Sequence, residues 1–239
     1  MPAVILAYPS RKAGHCKHAI HLLFTIVPIH GIDSPQEACM NLRRIIIIAV
    51  FAALIVAGSY IAIPVGPVPV TLQTAFVLLA GILGGRAIGL AAVAVYLVLG
   101  AIGLPVFSGG IGGFAHFAGP TGGFLISWLL VAPFAGFCAD TGFAGGKTHE
   151  TTTTRQLVWI ILGTVGATVI QYLVGLPYLK LILGIEWSRA LVVGLVPFIP
   201  GDLIKMIAVV ILGNLFAPQV RQFLHSPVQE EPDAEETGS

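Results

Sequence analysis

Six apolar runs, separated by glycine- and proline-rich or polar connections, constrain this chain more than any other feature of its sequence. They cover residues 45–63, 70–83, 88–104, 122–139, 157–183 and 190–216. A run of about 19 residues is long enough for a helix to cross a hydrocarbon core of roughly 30 Å. Because backbone polar groups in lipid must be satisfied within the segment, such runs fold as helices. The sequence therefore predicts an all-α integral membrane protein, a bundle of about six transmembrane helices with an outer loop rich in glycine and aromatic residues.

The composition excludes a soluble globular protein and a nucleic-acid partner. Hydrophobic residues make up 56% of the 239 residues, charged residues make up 10%, and the mean hydropathy is +0.93. Soluble domains carry roughly 25% charged residues. We therefore expect the surface of this chain to contact the lipid membrane. A formal net charge of +1 argues against a nucleic-acid partner, which would need a strongly basic surface. Cys16, Cys39 and Cys138 are scattered without metal-ligand spacing, and we expect no metal and no cofactor.

The basic residues predict the orientation of the chain in the membrane. Cytoplasmic connections carry an excess of lysine and arginine. With both termini in the cytoplasm, Lys180 and Arg189 fall on the outer side. The inner side then holds Arg11, Lys12, Lys17, Arg43, Arg44, Arg86, Lys147, Arg155 and Arg221. The inverse topology would reverse this bias, so we expect a multi-pass protein of the cell membrane with both termini cytoplasmic.

Two tails flank the predicted six-helix membrane domain, which covers residues 43–217. In the N-terminal tail, residues 1–42, Met40 directly precedes Asn-Leu-Arg-Arg, a sequence typical of the start of a membrane protein. We hypothesise that residues 1–39 are absent from the native protein, and mass spectrometry of its N-terminus would test this. The C-terminal tail, residues 218–239, ends in an acidic stretch and is predicted to be solvated.

Two charged residues interrupt the sixth apolar run. Asp202 and Lys205 are three positions apart, so they share one helix face and partly neutralise each other. An ionisable group at the centre of a membrane helix costs roughly 2.5–3.5 kcal/mol. The pair is therefore either a structural ion pair between helices or a polar ligand site. A carboxylate accepts hydrogen bonds from N–H groups and an ammonium donates to carbonyl or carboxylate oxygens, so the pair suits a small ligand that offers both.

The connection at residues 103–123 is rich in glycine and carries Phe107, Phe114 and Phe117. Long loops without secondary structure are commonly functional, and glycines allow the backbone to approach a ligand closely. The aromatic rings could pack on the apolar part of that ligand. This outer segment is either a lid over a pocket or a re-entrant packing segment. His116 is expected to be an ordinary loop histidine.

The connection between the first two runs is interrupted by Pro67 and Pro69 and contains Thr71 and Gln73. Irregular backbone at membrane depth is tolerated where it lines protein or a cavity, and interrupted segments point to binding sites in transporters. Thr71 and Gln73 would then offer a hydroxyl and an amide to a ligand. A plain outer turn is the alternative.

Two further patterns concern partners and energy coupling. Ala49, Ala53 and Ala57 recur every four residues on the first helix, and such small residues permit close helix approach in lipid, either to a partner or within the bundle.

The segment 142–148 resembles a phosphate-binding loop, but Thr141 stands where that motif requires glycine. We therefore expect no ATP hydrolysis by this chain.

Four motifs in order carry a resemblance to a known family. They are Pro-Val-Pro-Val-Thr-Leu-Gln-Thr at 67–74, Tyr-Leu-Val-Leu-Gly-Ala-Ile-Gly-Leu-Pro-Val-Phe at 96–107, Gly-Pro-Thr-Gly-Gly-Phe at 119–124 and Pro-Gly-Asp-Leu-Ile-Lys at 200–205. With them the chain resembles, from about residue 43 to residue 216, the BioY family of biotin-specific substrate-binding (S) components of energy-coupling-factor (ECF) transporters. It departs from the family at Phe124, where tyrosine is usual, which removes a hydroxyl.

The resemblance implies a monomeric six-helix component that binds biotin from outside. It implies that Asp202 and Lys205 contact biotin, and that the alanine stripe docks an ECF transmembrane coupling protein that works with two ATPase subunits. ATP would be used only by these partners. The predicted substrate-binding residues are Gln73, Phe107, Phe117, Thr121, Gly122, Asp202 and Lys205.

Two other functions stay open from the sequence. The ligand could be another small vitamin, because the fold alone does not separate such ligands. Asp202 and Lys205 could instead act as acid and base in an intramembrane enzyme. Against the enzyme stands the lack of a second intramembrane acid, a metal cluster or a nucleophile–base arrangement in the sequence.

Overall fold

The computed structural model describes residues 35–64, 67–144 and 154–225. Within these ranges the α-helices are α1 (Pro35–Tyr60), α2 (Gln73–Ala101), α3 (Gly122–Phe143), α4 (Thr154–Leu183), α5 (Trp187–Gly194) and α6 (Ile199–His225). Two short antiparallel strands, β1 (Ala62–Ile63) and β2 (Val70–Thr71), connect α1 to α2. A 3-10 helix, Phe114–Ala118, precedes α3. Among the described residues, five helices (all but α5) are long and apolar enough to cross a membrane.

Helix α2 reverses its direction at Gly85. The backbone there has φ +81° and ψ 176°, which no helix adopts. The Gln73 amide nitrogen donates a hydrogen bond to the Tyr96 hydroxyl at 2.5 Å, although 23 positions in a straight helix would be separated by about 35 Å. A Cβ built on Gly89 would lie 2.7 Å from the Cα of Gly81, so the two arms touch through glycines. Counting both arms, the predicted bundle of about six membrane helices is confirmed.

The two members of an ion pair form hydrogen bonds with backbone N–H and C=O groups at this reversal. Asp140 at the end of α3 accepts a hydrogen bond from the backbone N–H of Arg86 at 3.3 Å. Arg221 of α6 donates to the carbonyl oxygen of Ile82 at 2.9 Å and to Asp140 Oδ1 at 2.8 Å. Because helix ends leave N–H and C=O groups without intrahelical partners, these two side chains supply what the interrupted helix lacks.

The predicted sixth run, residues 190–216, is divided between α5 and α6. Residues 195–198, which include Pro197, separate the two helices, and Pro200 lies in the first turn of α6. Proline lacks the N–H needed in a helix interior but fits a first turn. The apolar run is therefore unwound at these prolines, whereas α4 continues through Pro177.

Helix α3 packs closely against both arms of α2 and against α4. A Cβ on Gly81 of α2 would meet the backbone oxygen of Ala132 at 2.2 Å, and one on Gly163 of α4 would meet Cys138 at 2.9 Å. Small residues let membrane helices approach in this way because no bulky side chain keeps the backbones apart.

The chain divides into two compact units, one of residues 46–222 and one of residues 1–45 with 223–239. Helix α1 begins at Pro35 and α6 continues to His225, so the described parts of both predicted tails are helical. Residues 1–34, and residues 145–148 of the segment resembling a phosphate-binding loop, lie outside the described residues.

Candidate ligand-binding site

A cavity lies where the α1–α2 connection, the loop before α3 and the segment before α6 come together. It contains about 480 Å³ of space that no protein atom fills, its open mouth included. Apolar and polar side chains from all of these segments and from α4 face it. The lining residues are Val68, Pro69, Thr71, Gln73, Thr74, Ser108, His116, Thr121, Phe124, Leu125, Trp128, Gln171, Phe198 and Lys205.

Asp202 and Lys205 form a buried ion pair at this cavity. Lys205 Nζ lies 2.9 Å from Asp202 Oδ1, and their side chains are 9% and 8% exposed. The hydroxyl of Tyr172 on α4 donates to the other carboxylate oxygen. The pair thus connects α4 to α6 while Lys205 itself lines the cavity. An ammonium carries three N–H donors, and Asp202 takes one, so the site can donate to a ligand without breaking the pair.

Thr71 and Gln73 form the second polar group of the cavity. The Thr71 hydroxyl donates to Gln73 Oε1 at 3.1 Å, and the Gln73 amide donates in turn to Tyr96. Gln73 is only 3% exposed. The α1–α2 connection is therefore not a plain turn, because it brings both side chains into the bundle and ties them to the second arm of α2.

His116 and Thr121 form a third polar group, on the 3-10 helix and at the start of α3. His116 Nε2 lies 3.1 Å from Thr121 Oγ1. The imidazole stacks on Phe107 with ring centroids 4.8 Å apart. Burial lowers the pKa of His116, so the ring is neutral at pH 7. The expected ordinary loop histidine is thus a lining residue of the cavity.

The glycine-rich loop packs on itself. A Cβ on Gly122 would lie 1.8 Å from the carbonyl oxygen of Phe117, and one on Gly100 would lie 2.0 Å from the Phe107 ring. Gly113 has φ +104°, a backbone conformation that favours glycine. These glycines therefore permit close contacts inside the protein, and the loop covers one side of the cavity as a packed segment.

The predicted substrate-binding residues separate into two groups. Those that line the cavity are Gln73, Thr121 and Lys205. The others lie behind the lining or beside it: Asp202, Phe107, Phe117 and Gly122.

Trp128 on α3 and Gln171 on α4 are among the lining residues that sequence reasoning missed. Both are buried, and the Trp128 indole N–H donates to Gln171 Oε1 at 3.3 Å. A signal for Gln171 was present, since it is a lone amide in the middle of the fifth apolar run. Trp128 carried none, because its indole looks like any apolar side chain in a membrane helix.

The comparisons with known proteins agree with one another. The model of the BioY family matches residues 33–222. The chain belongs to the BioY family. A biotin transporter BioY of Rhizobium etli is 39% identical over 73% of this chain and 93% of its own length. A probable biotin transporter BioY of Pyrococcus horikoshii is 37% identical over 73% of this chain and 96% of its own. The crystal structure of the S-component for biotin from an ECF-type ABC transporter superposes with a TM-score of 0.63, at 32% identity, over 73% of this chain and 90% of that one.

Membership in the BioY family places the chain among transport proteins and sets aside the enzyme considered above. The position at which the chain departs from the BioY pattern, Phe124, is buried at the cavity. Its ring packs edge-on against Tyr172 and stacks on Phe198. Phenylalanine at this position therefore gives the cavity an apolar wall.

The alanine stripe of α1 lies on the surface of the BioY chain. Ala49, Ala53 and Ala57 are all exposed, whereas Ala52 and Ile55 on the other face of α1 are buried. The three predicted docking residues thus share one accessible face of α1. They do not pack inside the bundle formed by residues 46–222.

Proposed function

We propose that this chain captures biotin at the outer side of the cell membrane, as the substrate-binding component of an ECF-type transporter. The observation that carries the proposal is the cavity of a BioY-family chain in which Lys205 is paired with Asp202 and accompanied by Gln73 and Thr121. Such a cavity combines apolar walls with a few polar groups, as small-molecule sites do.

The chemistry of biotin complements these groups. Its ureido ring has two N–H donors and one carbonyl oxygen, and its valerate chain ends in a carboxylate. Asp202 would accept from a ureido N–H, and Lys205 would donate to the ureido carbonyl or to the carboxylate. The ring and methylene groups would pack on the apolar lining, which includes Val68, Leu125 and Phe198.

The cavity of the proposed transporter faces outward, and both termini are cytoplasmic. With the reversal of α2, the described residues contain an even number of membrane helices, which supports termini on one side of the membrane. Arg86 and Arg221 lie at the end of the bundle opposite to Phe198, which precedes α6. The excess of basic residues assigns their end to the cytoplasm.

The proposed partners are an ECF transmembrane coupling protein and two ATPase subunits. The exposed stripe of Ala49, Ala53 and Ala57 is the surface we assign to the coupling protein, since small residues allow close helix contact in lipid. ATP is consumed by the partners, and this chain needs no cofactor and no nucleic acid.

The test is equilibrium binding of labelled biotin to the detergent-purified full chain, with other vitamins as competitors. We expect saturable binding that unlabelled biotin displaces and that Lys205→Ala abolishes, while Lys180→Ala, a lysine away from the cavity, binds normally. Displacement by a different vitamin at lower concentration than biotin would establish the alternative ligand. No binding by folded protein would reject the proposal.

A further inference from the structure

Gln171 of α4 is a buried amide that faces the cavity. Its side chain belongs to a residue that is only 5% exposed, and it lies among the lining residues together with Trp128. A glutamine at the centre of an apolar membrane helix is costly unless its polar atoms have partners. The partners of its two ends therefore decide what it does.

Trp128 fixes the orientation of this amide. The indole Nε1–H lies 3.3 Å from Gln171 Oε1. An indole nitrogen can only donate, so the atom that faces it must be the amide oxygen, and the NH₂ group must point away. Trp128 is itself 4% exposed and packs on the Tyr96 ring at 6.0 Å between centroids. The indole is thus a rigid support for the amide.

The NH₂ group of Gln171 has no hydrogen-bond acceptor among the described residues. The other cavity amide, Gln73, differs in this respect. Its oxygen accepts from Thr71 and its nitrogen donates to Tyr96, so it is held by the protein at both ends. Gln171 is held only by its oxygen and offers its donors to whatever fills the cavity.

We propose that the Trp128–Gln171 pair is a second recognition point for the ligand, at which Gln171 donates a hydrogen bond to a carbonyl or carboxylate oxygen. This inference rests on the proposed function. Lys205 is the first donor, on α6, and Gln171 is a second donor on α4. A cavity with two separate donor positions selects a molecule with two separate acceptor oxygens, because a ligand that lacks one leaves a buried N–H unpaired. Biotin has such oxygens in its ureido carbonyl and its carboxylate.

The first experiment measures biotin binding by Gln171→Leu, which removes the amide, and by Trp128→Phe, which removes the indole N–H but keeps an aromatic ring. We expect Gln171→Leu to raise the Kd roughly 10- to 100-fold and Trp128→Phe to raise it less. Gln156→Leu is the matched control, since Gln156 lies fifteen residues earlier on the same helix and outside the cavity lining. Its Kd should equal that of the unsubstituted protein. Elution volume and thermal midpoint in detergent identify variants that fail to fold.

The second experiment identifies the oxygen, using 2-iminobiotin, which lacks the ureido oxygen, and biotinol, which lacks the carboxylate. If Gln171 donates to the ureido carbonyl, the penalty of Gln171→Leu disappears with 2-iminobiotin and persists with biotinol. If it donates to the carboxylate, the pattern is reversed. An unchanged Kd for biotin in Gln171→Leu, or the same penalty with all three ligands, would overturn the inference while leaving the proposed function intact. Failure of the unsubstituted protein to bind biotin would reject the proposed function itself.

Discussion

Two ion pairs that involve helix α6 have different surroundings. Lys205 pairs with Asp202 near the start of α6, and Arg221 pairs with Asp140 near its end. The two basic residues are sixteen positions apart, which is about 24 Å along a helix. The first pair lies at the cavity and the second at the reversal of α2.

The difference lies in what else each pair contacts. Asp140 and Arg221 also bind backbone groups of Arg86 and Ile82, so they complete the reversal of α2. Lys205 contacts one carboxylate and keeps donors toward the cavity. The pair that binds backbone groups therefore stabilises the fold, whereas the pair at the cavity is the one we propose for ligand recognition. A charge in a membrane helix is not by itself a binding residue.

The largest expected effect is on biotin binding, and it is tested by making the same Asp→Asn substitution separately in each pair. Asp202→Asn should raise the Kd for biotin by roughly 10- to 100-fold, since a hydrogen bond to a charged group contributes about 1.5–3 kcal/mol. Asp140→Asn, its matched control, should leave the Kd unchanged. Equilibrium binding of labelled biotin measures both. Equal losses in the two variants would show that the two pairs do not differ in function.

Gly85→Ala tests the reversal of α2. The conformation φ +81°, ψ 176° is essentially restricted to glycine, and a Cβ there would lie 2.9 Å from Asp140 Oδ1. We expect a loss of about 1–3 kcal/mol in the free energy of unfolding, with the Kd for biotin little changed in the folded fraction. Thermal midpoints in detergent measure it. Gly184→Ala is the comparison, because Gly184 has positive φ with open space around it and should lose less.

Arg221→Lys tests whether the Arg221–Asp140 pair depends on the forked geometry of the guanidinium group. Arginine reaches Asp140 and the Ile82 carbonyl with two separate nitrogens, and lysine keeps the charge without that geometry. We expect a loss of about 1 kcal/mol in unfolding free energy, read from the thermal midpoint. Arg189→Lys, at an exposed position on α5, should have no effect. A midpoint unchanged in Arg221→Lys would mean that charge alone holds the reversal.

The smallest effect concerns pH. Burial lowers the pKa of His116 below that of the unfolded chain. The unfolded state therefore binds more protons as the pH falls below about 6.5, and stability decreases on acidification through the folded pKa. The thermal midpoint between pH 7 and pH 5 should fall more in the unsubstituted protein than in His116→Asn. Parallel curves for the two proteins would contradict this.

The membrane class and the main polar positions could be predicted from the sequence because their signals are local. Apolar length identified the helices, and Asp202 with Lys205 stood out as charges in an apolar run. The hydrogen bonds between residues distant in the sequence could not be predicted in this way. Trp128 has no polar pattern around it, and its contact with Gln171 joins residues 43 positions apart.

The sequence by itself thus determined that this chain is a membrane bundle, that it belongs to the BioY family, and which charges lie in its interior. Only the tertiary structure decided that Phe107 and Gly122 support the loop and that Asp140 and Arg221 complete a reversal. It also decided that Gln171 offers a donor with no acceptor among the described residues. The physical reason is that hydrophobicity acts through each segment's own composition. A hydrogen bond instead depends on which atoms from distant segments come within about 3 Å of each other.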